Sequence, residues 1–167
     1  MPQRKVLLSF NELCTGCRIC ELVCSLRNTG MVNPSLARIK VVRSKKDHST
    51  FPIICRHCTN APCKEACPVP DAMYFDEKTG VVLINDENCI QCFACVDACP
   101  FGAIQVGPNK ELLKCDLCGG DPVCAKYCPL VPGYLFPHTP WPTQSCLQYI
   151  EPSKITKNKR LTLAEKR

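Results

Sequence analysis

The sequence predicts a small α+β fold: a fourfold cysteine repeat with short helices and hairpins between its groups, followed by an irregular C-terminal arm. Three observations predict it. Cysteine supplies 17 of the 167 residues, a density typical of disulfide scaffolds or of metal proteins. Sixteen of those cysteines recur in four groups of four. Fifteen prolines and short apolar runs leave little room for long elements or for a large core. The length suits one domain or two small fused ones.

The chain opens on a basic stretch, residues 1–5, followed only by Val6, Leu7, Leu8, Ser9 and Phe10. That run is shorter than the ~7–15-residue apolar region of a secretory signal, and no small-residue cleavage site or twin-arginine pair accompanies it. The expected location is the cytoplasm, where disulfides are uncommon. The odd cysteine count also speaks against complete disulfide pairing.

The groups come next, in chain order. They are Cys14, Cys17, Cys20 and Cys24; Cys55, Cys58, Cys63 and Cys67; Cys89, Cys92, Cys95 and Cys99; and Cys115, Cys118, Cys124 and Cys128. The first and third have the spacing C-x2-C-x2-C-x3-C; the second is C-x2-C-x4-C-x3-C and the fourth C-x2-C-x5-C-x3-C. Pro68, Pro100 and Pro129 follow the last cysteine of three groups, and Ser25 stands there in the first. A cubane needs a thiolate at each of four irons. Two-residue gaps let one loop wrap a cube face and aim backbone N–H groups at it, while the fourth cysteine leaves on a helix. In bacterial two-cluster ferredoxins that fourth cysteine ligates the other cluster. A structural zinc site pairs two C-x2-C knuckles across a longer stretch, and here each third cysteine lies too close to the second for that. With every iron thiolate-bound, none is open to substrate, so the chain is expected to be non-catalytic.

Between the groups, residues 36–42 alternate and predict a strand. Residues 73–75 and 81–84 flank the turn-rich loop 76–80 and predict a hairpin. Residues 103–106 predict another strand, and 64–66, 94–98 and 125–127 short helices. Residues 1–129 are the expected four-cluster domain, held together more by ligation than by apolar burial. Residues 130–167 are the expected arm and basic tail. There Pro132, Pro137, Pro140 and Pro142 alternate with Tyr134, Phe136 and Trp141 without helical or strand period. Such a segment is expected to lie on another surface, and the tail beyond it to be solvated. Cys146 falls outside the repeat and is expected to be a free thiol.

Charge and hydropathy exclude other classes. No run reaches the ~18 apolar residues of a membrane helix, so no membrane span is expected. The formal charge of +6 counts cysteines as neutral; four oxidised clusters, each about 2− with its thiolates, bring it to roughly −2. The basic balance therefore compensates buried anions, and no nucleic-acid surface with interleaved aromatics is present. His57, between two cysteines of the second group, is expected to pack or hydrogen-bond beside a cluster rather than to ligate it.

From Cys14 to Pro129 the chain resembles the four-cluster, ferredoxin-like electron-transfer subunits of molybdenum and tungsten oxidoreductases and of related hydrogenase, formate and carbon monoxide dehydrogenase systems. The resemblance rests on Cys14-Thr15-Gly16-Cys17-Arg18-Ile19-Cys20, Cys55-Arg56-His57-Cys58, Cys89-Ile90-Gln91-Cys92-Phe93-Ala94-Cys95, Cys99-Pro100-Phe101-Gly102-Ala103-Ile104 and Lys114-Cys115-Asp116-Leu117-Cys118. It implies two fused bacterial-ferredoxin-like modules carrying four [4Fe-4S] clusters in a line. In one module the first group pairs with the fourth, in the other the second with the third, and each group lends its last cysteine to its partner's cluster. The resemblance implies a catalytic tungsten or molybdenum pterin subunit as partner, the aldehyde-oxidising type favoured, and an FAD/NAD-linked flavoprotein as a possible acceptor. A soluble polyferredoxin shuttle is the alternative. The turn Cys67-Pro68-Val69-Pro70-Asp71-Ala72-Met73 is longer than the family's usual one.

Overall fold

A computed structural model of the chain describes residues 5–128 and 145–151. In chain order these form β1 (Val6–Ser9), α1 (Ile19–Thr29), β2 (Lys40–Arg43), β3 (Thr50–Ile53), α2 (Pro62–Glu65), β4 (Met73–Phe75), β5 (Val82–Ile84), α3 (Ala94–Asp97), β6 (Ile104–Val106), β7 (Leu112–Lys114), α4 (Val123–Tyr127) and β8 (Leu147–Ile150). The strands make four separate antiparallel pairs: β1 with β8, β2 with β3, β4 with β5 and β6 with β7. No pair could stand alone in water. Each must pack on its neighbours and on whatever the cysteine loops enclose.

The residue after each group's last cysteine decides how far its helix runs. Proline cannot continue a helix, and α2 and α3, four residues each, stop just short of Cys67-Pro68 and Cys99-Pro100. After Cys24 the chain has Ser25, and α1 runs on to Thr29, eleven residues in all. Ser25 is fully buried; its hydroxyl donates to the Leu22 carbonyl at 2.9 Å and accepts from Asn33 N–H at 3.1 Å. Gly30 then ends α1 in the left-handed region at φ 73°, its N–H returning to the Leu26 carbonyl at 2.9 Å, as a glycine C-cap does.

The hairpin over β4 and β5 and the strand β6 fall where the sequence predicts them. The strand expected over 36–42 is shorter and later. Asn33 accepts from Ser35 N–H at 3.0 Å and caps a single 3-10 turn, Pro34–Leu36, so extension begins only at Lys40. The expected arm is not irregular throughout: Leu147–Ile150 forms β8, pairs with β1 and buries Leu147 to 1% exposure. Within 130–167, residues 130–144 and 152–167 lie outside the described residues.

Two apolar clusters divide the molecule. The larger gathers Leu7, Ala37, Ile39, Val41, Ile54, Val81, Leu117 and Leu147 around Cys20, Cys24 and Cys124. The smaller holds Ala61, Met73, Val82 and Ile104 around Cys95. Among the described residues no helix is long and apolar enough to cross a membrane.

Candidate metal-cluster sites

Cysteines distant in sequence meet around cavities. Cys24 joins Cys115, Cys118 and Cys124 around one small cavity. Cys99 joins Cys55, Cys58 and Cys63 around a second. Cys67 joins Cys89, Cys92 and Cys95 around a third. Cys14, Cys17, Cys20 and Cys128 form a fourth neighbourhood: burial pushes Cys20 up to about 12, and Cys17, Cys128 and Cys14 all add to it. Each cavity therefore receives three sulfurs from one group and one from the last cysteine of another. Among the described residues no three His, Cys, Asp or Glu side chains converge closely enough to hold one metal ion. Thiols ringed around a cavity suit a cubane, whose irons each take one sulfur.

The loops share a backbone device. The residue just before the second cysteine is left-handed in all four groups: Gly16 at φ 73°, His57 at 47°, Gln91 at 53° and Leu117 at 54°. Arg18 and Phe93, just after the second cysteine of the first and third groups, are left-handed too. Only one of these six is glycine. A non-glycine residue held there costs roughly 1–3 kcal/mol and persists where its surroundings over-determine it. Such turns gather successive N–H groups into an anion-binding concavity. At Gly16 a side chain is also short of room, since a Cβ would lie 3.1 Å from the Thr50 methyl.

Among the described residues, amide donors reach three of the four sulfurs that cross between groups, Cys67 being the exception. Arg38 N–H donates to Cys24 Sγ at 3.3 Å, Ala103 N–H to Cys99 Sγ at 3.4 Å and Leu147 N–H to Cys128 Sγ at 3.2 Å. Leu117 N–H donates to Cys115 Sγ at 3.4 Å. Such bonds stabilise anionic sulfur and tune a bound cluster. Charged groups stand close by: Arg38 pairs with Asp116 at 2.9 Å, and Arg56 lies over the Phe101 ring at 5.5 Å beside the Cys55 cavity.

Burial dominates the thiols. It pushes Cys95 up to about 11, with Cys63 adding to it, and Cys115 up to about 12, with Cys55 and Cys24 adding. Burial also raises Cys24 and Cys124, with neighbouring thiols adding in both cases. Cys14 and Cys128 go the other way. A hydrogen bond from Cys146 brings Cys14 down to about 6 and Cys128 to about 7. Cys146 is itself buried, at 6% exposure, and adjoins both. Its place beside two repeat cysteines had no signal in sequence, because the pairing of β8 with β1 brings it there. These mutual influences also order the sites. The Cys14 neighbourhood adjoins that of Cys24 and Cys124, which meets Cys55 through Cys115; Cys63 then meets Cys95.

The comparisons with known proteins agree with this chemistry. A 4Fe-4S dicluster domain matches residues 46–133, just over half of the chain, and a 4Fe-4S binding domain matches residues 11–30. The chain belongs to the 4Fe-4S dicluster family. It is 41% identical to the polyferredoxin-like subunit of an aliphatic sulfonate oxidoreductase from Pyrococcus furiosus, over 77% of this chain and 73% of that protein. It is 39% identical to an uncharacterized ferredoxin of Methanocaldococcus jannaschii, over 77% and 69%. It is 29% identical to formate hydrogenlyase subunit 2 of Escherichia coli, over 75% and 78%. As a ferredoxin-like member of this family the chain is an iron–sulfur electron-transfer protein that binds [4Fe-4S] clusters.

Proposed function

We propose that this chain is a non-catalytic relay subunit with four [4Fe-4S] clusters, passing electrons one at a time between a catalytic oxidoreductase subunit and an acceptor. The observation that carries the reading is the succession of four cysteine sets, in which only the two end sets each show an exposed cysteine, Cys17 and Cys92. The ligand sets are Cys14, Cys17, Cys20 and Cys128; Cys24, Cys115, Cys118 and Cys124; Cys55, Cys58, Cys63 and Cys99; and Cys67, Cys89, Cys92 and Cys95. When bound, each cluster supplies a one-electron couple. The chain supplies the rest. Its thiolates fix the spacing of the sites, and its amides donate to Cys24, Cys99, Cys115 and Cys128.

For the partner we favour a tungsten or molybdenum pterin enzyme of the aldehyde-oxidising type, with an FAD/NAD-linked flavoprotein as acceptor. The similarity to a subunit of a sulfonate oxidoreductase supports a subunit role. The similarity to formate hydrogenlyase subunit 2 supports the other reading, a hydrogenase or formate system. The Pro/aromatic arm, residues 130–150, is the segment we assign to partner contact, although its last residues, Leu147–Ile150, also pair with β1.

The test begins with anaerobic iron and sulfide analysis, which should return about 16 of each per chain, four per cubane. Cys67→Ser should perturb the low-temperature EPR signal of the Cys89, Cys92 and Cys95 site and interrupt delivery to a downstream acceptor. About four irons per chain, or unchanged spectra and full delivery in Cys67→Ser, would overturn the assignment.

A further inference from the structure

One buried charge is not absorbed by ligation. Lys114 is only 5% exposed, although it carries an ammonium group. On β7 Leu113 and Lys114 are both buried, on opposite faces, while Leu112 is half-buried, so packing against β5 and not alternation places Lys114 inside. Lys114 Nζ donates to the carbonyl of Val82, on β5, and so ties the β4–β5 hairpin to the β6–β7 hairpin. A carbonyl satisfies one of its three donors and neutralises none of its charge.

Burying a cation is costly unless an anion accompanies it. Among the described residues no carboxylate lies within ion-pair distance of Lys114. Lys114 also lines a polar cleft with Asp86 and Asp116, but pairs with neither, and Asp116 is engaged by Arg38. Lys114 does line the cavity ringed by Cys55, Cys58, Cys63 and Cys99. Behind burial, which raises both thiols, it acts on Cys58 and Cys63 in the opposite direction.

We infer that the missing counter-charge is the anionic cluster of that cavity, and that Lys114 is a positioning residue setting this cluster's reduction potential above that of the same cluster without it. The inference rests on the ligand assignment proposed above. The sign follows from charge. A cubane with four thiolates carries 2− when oxidised and 3− when reduced, so a fixed cation beside it favours the reduced state. The placement also has a consequence for the line of sites. Lys114 precedes Cys115 in sequence while its side chain faces the next cavity, so one residue joins the two neighbouring sites at the middle of the molecule.

The experiment is an EPR-monitored redox titration of the anaerobically purified full chain, its Lys114→Met variant and its Lys114→Arg variant. The cluster component concerned is marked by its perturbation in Cys58→Ser. In Lys114→Met that component's one-electron equilibrium should move at least tenfold toward the oxidised state, ~59 mV lower, with the other components unmoved. Lys114→Arg keeps the charge and should stay near the parent. If Lys114→Met fails to assemble that cluster while Lys114→Arg assembles it at the parental potential, the requirement for charge is likewise met. An unshifted Lys114→Met, equal shifts in both variants, or loss of the cluster in both would overturn the inference. Iron content and the number of components in the parent chain test the four-cluster assignment separately.

Discussion

The two halves of the molecule spend nearly the same cysteine spacing on unequal support. Around the first and fourth groups, an eleven-residue helix and the β1–β8 pair close over Leu7, Ala37, Val81, Leu117 and Leu147, all but inaccessible to solvent. Around the second and third groups the helices are four residues long and the strands three. There the core is reduced to a few side chains, and Tyr74, Phe75, Ile90 and Phe101 stay exposed. Burial of apolar area contributes roughly 25 cal/mol per Å², so the first half holds a reserve of stability that the second lacks. The spacing of ligands thus specifies the site without specifying what maintains it.

Removing the metal should expose that inequality most strongly. We expect anaerobic chelation of iron to unfold the half built on β4 to β7 first, because ligation is its main constraint. Amides of β4, β5, β6 and β7 should lose hydrogen-exchange protection altogether, while α1, β1 and β8 keep a measurable part of theirs. Simultaneous loss in both halves would make the molecule one cooperative unit and erase the distinction.

A smaller effect should come from trimming each core. Leu147→Ala removes a fully buried side chain from β8 and should cost about 2–5 kcal/mol. Leu147 N–H also holds Cys128 Sγ, so bleaching on heating should begin at the site that contains Cys128. Met73→Ala removes a side chain of similar size, 4% exposed, from the smaller cluster. It should cost a similar amount and bleach the opposite end first. Heating the two variants while following visible absorbance and residual EPR components distinguishes them. The same component lost first in both would contradict the division.

What the sequence revealed differs in kind between these parts. The four cysteine groups were legible as integer spacings, and the short helices followed from the prolines after Cys67 and Cys99. The left-handed residues were not legible. Of the four that precede a second cysteine, only Gly16 carries the signature of its conformation, while His57, Gln91 and Leu117 are held there by surroundings no local pattern encodes. The β1–β8 pair was equally hidden, since a four-residue strand has no period of its own, and its partner lies more than a hundred residues away. Lys114 looked like any charge flanking a motif, because burial on β7 is a tertiary fact.

The smallest expected effect lies at Cys146, where the well-supported half adds a polar contact that the other half does not show. The thiol is buried beside Cys14 and Cys128, whose pKa values it lowers, and its backbone carbonyl accepts from Phe10 N–H at 2.8 Å. Backbone pairing therefore keeps the position in place whatever side chain it bears. Cys146→Ser retains a donor, and the variant should keep its full iron content. Cys146→Ala loses the donor without disturbing the strand. A hydrogen bond to a ligand sulfur favours the more negative, reduced state, so Cys146→Ala should lower the potential of the end site. Each neutral hydrogen bond contributes only about 0.5–1.5 kcal/mol net, and a thiol is a weak donor, so the shift should stay below the ~59 mV expected for Lys114→Met. A redox titration of both variants beside the parent checks the order of effects. A larger shift in Cys146→Ala than in Lys114→Met would mean that hydrogen bonds to sulfur, and not fixed charge, dominate along this line of sites. Loss of iron in Cys146→Ser would instead make Cys146 part of the ligand set.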